Sequence, residues 1–323
     1  MARVLEWWRD FWLAPADPRP LALCRILFFA SMFGLNATYD FSGWPEIDPV
    51  FFHDAVFPFS QLPGEYPVPS AGVLVVLQLL WKISFVTACI GLFTRTSIWA
   101  SFLLSFLLIS MEDSHSMKLH HWNLVMVFIP GILCFARCAD AWSVDRWLRT
   151  RRGESSEYVL SGEYRWPMEM VPFFVAAFFF QAGFSKLRVD GMELLTSRNM
   201  QNVFLQHYVV FIPGGNFVAG PDAPLFPGYL NFWVGQSAFL SKLTLLGAIV
   251  LEVAFPLAVF SRWGRILIAP PGFLMVMTFS VFIGPPHYTF LATGLFWLPW
   301  DKLLPRLVPR PRVPWPESWT KAA

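Results

Sequence analysis

Eight stretches of the chain are apolar over lengths that a bilayer sets: 21–38, 71–94, 96–111, 122–136, 167–187, 240–261, 266–284 and 288–300. A hydrocarbon core of about 30 Å takes roughly 20 residues of helix. In lipid, each backbone N–H and C=O has to be satisfied inside the protein, so such stretches form helices rather than open strands. The shorter ones are read as tilted or partly protein-buried helices. Only 14% of the residues are charged and 55% are hydrophobic, whereas soluble domains carry about a quarter charged residues. The expected fold is all-α: a polytopic membrane bundle of about eight transmembrane helices with both termini cytoplasmic. The last two stretches leave a second arrangement open. Pro270-Pro271-Gly272 interrupts one and Pro285-Pro286 leaves almost no loop before the other, so a re-entrant pair also fits.

The basic residues orient the bundle. With the N-terminus inside, seventeen Lys and Arg fall in inner segments and five (Lys118, Lys186, Arg188, Arg198 and Lys242) in outer ones. Segment 39–70 has no Lys or Arg but contains Asp40, Glu46, Asp48, Asp54 and Glu65. Basic residues dispersed along span flanks give no reason to expect a nucleic-acid partner. The expected partner is the lipid bilayer, in a bacterial-type inner or plasma membrane.

Residues 1–19 form an N-terminal interfacial segment. Val4, Trp7, Trp8, Phe11 and Trp12 recur at helical spacing opposite Arg3, Glu6, Arg9 and Asp10, as in a helix lying in the inner interface; a partner-docking helix is the alternative. Residues 20–304 form the membrane domain and 305–323 a Pro- and Arg-rich cytoplasmic tail. The first apolar run lacks a small-residue cleavage site and is read as a retained span. The four cysteines make no disulfide framework.

All six histidines (His53, His115, His120, His121, His207 and His287) fall in outer segments under this orientation. Imidazole moves protons near neutral pH, so a shared acid–base face is one reading; loops gathering polar residues is the plainer one. No metal is expected, because His120 and His121 are adjacent and no HExxH or paired-cysteine motif accompanies them.

Lys186 ends the fifth span on the same side. Lysines there commonly snorkel to headgroups; the alternative is a lysine partly buried in an apolar pocket, able to take a proton. Ala182 and Gly183 would let a neighbouring helix or a flat ligand approach closely. Lys82 and Glu252 lie about equally deep in the second and sixth spans, which suggests a buried ion pair, either structural or part of a proton relay. Pro256 is expected to free the carbonyl of Glu252 and kink the helix there.

The run Trp166-Pro167, followed by a span ending in Ala182-Gly183-Phe184-Ser185-Lys186-Leu187, resembles the AG-x-x-KL signature of the vitamin K-dependent gamma-carboxylase-like proteins, the HTTM family. His120-His121 before a span, then Ala139-Asp140-Ala141-Trp142-Ser143-Val144-Asp145-Arg146, is similar to that family's "WS-x-D" segment. The opening Pro20-Leu21-Ala22-Leu23-Cys24-Arg25-Ile26-Leu27 and the closing Pro285-Pro286-His287 also fit, so the likeness covers about 20–305. It implies that Lys186 is the base that deprotonates a reduced, vitamin K-like quinone, with His121, or secondarily His120, assisting on the lumenal face. It likewise implies carboxylase-like (carbon–carbon lyase or ligase) chemistry. The chain departs from the family enzyme at Ser185, where that enzyme has a second lysine, and at Phe179, where an aromatic hydroxyl is common. It also lacks the large lumenal β-rich region of animal carboxylases.

Three functions follow. One is an enzyme acting on a quinone, lipid or secreted peptide at the extracytoplasmic face. A second is a non-enzymatic factor that binds or matures a secreted peptide or partner protein. The third is a small-molecule or proton transporter using Lys82 and Glu252, although no inverted repeat is visible.

Overall fold

The computed structural model describes residues 2–48, 68–115, 123–189, 191, 193–210, 228–282 and 288–307. In chain order its helices are α1 (Ala2–Leu13), α2 (Pro18–Asn36), α3 (Ala71–Ile90), α4 (Thr94–His115), α5 (Val125–Cys134) and α6 (Val144–Arg151). There follow α7 (Arg165–Val189), α8 (Glu193–Thr196), α9 (Asn199–Val210), α10 (Gly228–Gln236) and α11 (Ala238–Ala254). The last are α12 (Leu257–Phe260), α13 (Arg262–Leu267), α14 (Ala269–Phe282), α15 (Tyr288–Thr293) and α16 (Trp300–Leu307). No strand occurs among the described residues. The chain divides into two units, Met1–Val171 with Leu298–Ala323, and Pro172–Trp297.

In the first unit, α2 starts where Asp17 accepts the Arg19 N–H at 2.8 Å, with Pro18 at the first helical position, where a missing N–H costs nothing. Asp17 also takes the Arg19 guanidinium at 2.6 Å. α3 stops at Gly91, whose φ of 72° is left-handed and whose missing Cβ would run into the side chain of Ser143. Glycine is required there on both counts. Arg25, fully buried on α2, crosses to the 138–143 turn and donates to the carbonyls of Cys138 (2.6 Å) and Trp142 (2.7 Å). Asp145 reaches back to accept the N–H groups of Phe93 (2.9 Å) and Thr94 (2.7 Å). These contacts tie the α3–α4 turn, α2 and the start of α6 together at one end of the unit.

Phe28, Phe29, Met32, Leu74, Trp81, Phe85 and Leu108 are wholly buried in the first unit. The other face of α3 stays apolar while exposed: Val76 is 55% and Leu79 is 56% accessible. A contiguous apolar face of that kind suits lipid rather than water.

Among the described residues, five helical stretches are long and apolar enough to cross a membrane: Pro18–Asn36, Ala71–Ile90, Thr94–Ser114, Gly162–Val189 and Arg262–Phe282. A sixth forms only if Leu230–Gln236 and Ala238–Ala254 count as one span across a 101° bend. The expected count of eight is therefore not reproduced. Within the expected span 122–136, α5 has ten residues, about 15 Å of helix. Within 288–300, the six residues of α15 and the 3-10 turn Gly294–Trp297 cover only about 17 Å. Pro270 and Pro271 fall in the first turn of α14 and so start that helix instead of breaking it. Pro256 has the expected effect: α11 ends at Ala254, and the Glu252 carbonyl accepts only a long 3.4 Å bond from the Phe255 N–H. The tail from residue 308 onward lies outside the described residues.

Candidate functional site

The second unit brings Lys186 and Glu252 together. The Lys186 Nζ lies 2.6 Å from both Glu252 carboxylate oxygens. The carboxylate side chain is 6% exposed and the lysine 33%, so the acid sits inside and the amine toward the edge. Gly183, one turn before Lys186, explains how the helices come this close. A Cβ there would stand 2.8 Å from the Glu252 Cβ and 3.0 Å from the Val253 Cγ2, nearer than carbon atoms pack. The absent side chain admits the α11 backbone and sets Glu252 within reach of the amine.

Below the pair the contact is aromatic. Phe179, two turns before Lys186, stacks on Phe255, one turn after Glu252, with ring centres 4.0 Å apart and planes 7° from parallel. Phe255 is fully buried and also meets the Trp297 ring edge-on at 5.3 Å. Gly272 leaves the room that the Phe255 ring occupies. Such surroundings weaken water's competition for the ion pair and raise the cost of losing either half.

The expected pairing of Lys82 with Glu252 is corrected, since each has another partner. The Lys82 Nζ donates to the carbonyls of Ala37 (3.0 Å) and Tyr39 (2.7 Å), just past the end of α2 at Asn36. A helix C-terminus presents unsatisfied carbonyls and partial negative charge, and a cation satisfies both. Neighbouring contacts fix the same corner. The Tyr39 hydroxyl donates to Glu112 at 2.7 Å, and burial, with the Glu112 carboxylate adding to it, holds that phenol's pKa well above its usual value. Gln78 donates to Asp40 at 3.0 Å and accepts the Phe41 N–H at 3.0 Å.

Of the histidines, His115 ends α4 and His207 lies in α9; their side chains, like the whole of His53, His120, His121 and His287, are outside the described residues. The four cysteines are free.

Sequence reasoning found Lys186 and Glu252 separately but gave Glu252 the wrong lysine. The signal that joins them is Gly183, on the same helix face as Lys186, together with Glu252 being the one carboxylate far from both ends of an apolar segment.

Helices with exposed apolar faces and a charged pair sheltered between two of them define an all-helical membrane protein. Residues 13–284 match the HTTM domain family model, and the chain belongs to that family. No curated protein and no solved structure matches the chain.

Proposed function

We propose that this protein is a membrane-embedded enzyme in which Lys186 serves as a base toward a quinone, lipid or secreted peptide at the extracytoplasmic face, assisted by His121. The observation that carries this reading is the two-oxygen contact between Lys186 and the buried carboxylate of Glu252. A lysine that only snorkels to headgroups needs no such partner. An ammonium facing a carboxylate in apolar surroundings has two proton arrangements, the ion pair and the neutral amine with the neutral acid, and low polarity brings them closer in energy. In the neutral arrangement the amine has a free lone pair. It can take a proton from an acidic O–H or C–H, becoming an ammonium that faces the new anion, while Glu252 keeps the proton it received. Membership of the HTTM family and the AG-x-x-KL match at Lys186 support the same residue.

The test is replacement of Lys186 by Arg and by Ala, with protein abundance followed alongside complementation of a deletion strain. Arginine keeps the charge and the salt bridge but does not release its proton. Abundant Lys186→Arg protein without function is the expected result. Full function in Lys186→Ala protein would end the enzymatic reading and favour a binding factor. Extraction of lipids and quinones from purified wild-type and Lys186→Ala protein, compared by mass spectrometry, identifies the substrate class.

A further inference from the structure

At the arginine-rich end of the first unit, arginines outnumber carboxylates; Glu6, Glu157 and Glu163 lie there without an ion pair among the described residues, and so do four of the arginines. Asp10, Asp17 and Glu169 pair with Arg9, Arg19 and Arg165, and Asp140 takes both Arg137 and Arg149. Arg25 is spent on carbonyls, and Arg146 on the carbonyls of Ser155 and Glu157 and the ring of Tyr158. Arg3, Arg95, Arg151 and Arg152 remain, all exposed, with no carboxylate partner among the described residues.

Exposed aromatic rings accompany these guanidiniums. Arg3 shares α1 with Trp7 and Trp8. Arg95 follows Phe93, which is 71% exposed. Arg151 lies over the Trp147 ring at 4.0 Å, and that ring is itself 51% exposed. Phe93 is the most telling. Its φ of 45° is left-handed, a conformation that costs a bulky residue energy, and the bonds from its own N–H and that of Thr94 to Asp145 hold it there. The result is a large ring held in the open two residues before an exposed arginine that makes no ion pair among the described residues. Shared anchoring keeps the three stations at one end. Asp145 joins the α3–α4 turn to α6, and Ala16 and Ser161 exchange two backbone bonds of 3.1 Å that fasten the α1 end to the segment after α6.

From this arrangement we infer that the arginine-rich end of the first unit is a binding surface for phospholipids with net negative headgroups. Rings of this kind settle at the boundary between acyl chains and headgroups. The guanidinium forks then meet phosphate oxygens, with which they make paired hydrogen bonds. An acidic leaflet supplies these arginines with counter-charge, which a zwitterionic one does not. The inference stands apart from the role of Lys186.

The full-length protein, purified and reconstituted in nanodiscs of mixed phosphatidylcholine and phosphatidylglycerol, is released into the gas phase, and native mass spectrometry counts each retained lipid. Wild-type protein is expected to retain phosphatidylglycerol in preference to phosphatidylcholine. Arg151→Gln and Arg152→Gln should each lower that preference by about fivefold, the value of one basic side chain near an anionic surface. Glutamine at all four arginines should abolish it, while lysine at the same four preserves most of it, separating charge from misfolding. Arg198→Gln, in the other unit, should change nothing. Equal retention of the two lipids by wild-type protein, or an unchanged preference in the Arg151→Gln and Arg152→Gln proteins, overturns the inference.

Discussion

Arg25 and Lys82 in the first unit and Lys186 in the second meet apolar surroundings in opposite ways. In the first, Arg25 and Lys82 end on backbone carbonyls; in the second, Lys186 ends on a carboxylate. A carbonyl does not take up a proton, so the cation it holds stays charged and acts as a tie between chain segments. A carboxylate does, so its cation has a second state available. The difference separates cations that tie backbone segments together from one that faces a group able to share its proton, the feature on which the proposed chemistry rests.

The largest effect is expected at Arg25. Arg25→Leu leaves the Cys138 and Trp142 carbonyls buried without their donor and should cost on the order of 3–5 kcal/mol, read as lost yield and a lowered thermal midpoint in detergent. Arg25→Lys should recover only part of this, because one ammonium does not span both carbonyls as the fork does.

Next comes the pair itself. Lys186→Met strands the carboxylate, the more deeply buried partner, whereas Glu252→Gln leaves an amine that reaches toward the edge. The first should therefore destabilise more than the second, and the double variant less than the sum, with a coupling of about 1–3 kcal/mol in a thermal-unfolding cycle. Strictly additive losses would show that the two do not interact. Gly183→Ala should cost about 1–3 kcal/mol by forcing α7 and α11 apart, and it should impair complementation beyond its effect on abundance if the pair does the chemistry.

Lys82→Met is expected to be the mildest, at about 1 kcal/mol or less, because it removes only a cap on carbonyls near the end of α2. A loss as large as that of Lys186→Met would erase the contrast between the units.

Much of the helical frame was legible because span length and hydropathy are local properties. The observed α2, α3, α4 and α7 lie close to the expected segments. Legibility failed where a helix is set by contacts rather than by its own run of residues. Ser237 caps α11 through the Leu240 N–H, where the chain turns by 101°, and the lysine that Glu252 meets was not found by counting depth along the sequence, because their contact is set by how α7 and α11 pack. The carbonyls that hold Lys82 belong to Ala37 and Tyr39, outside any periodic pattern. Lys186 itself was marked by the AG-x-x-KL spacing, while its partner showed only through the missing Cβ of Gly183.

The ion pair also constrains how the protein is made. Its halves are separated by 66 positions, so at about 5–20 residues per second the ribosome emits the lysine between roughly three and thirteen seconds before the glutamate. Through that interval the lysine, close to the end of its helix, can rest among headgroups. Glu252 is buried just before α11 gives way to α12, without such a refuge, so α11 should leave the insertion machinery only in the company of α7.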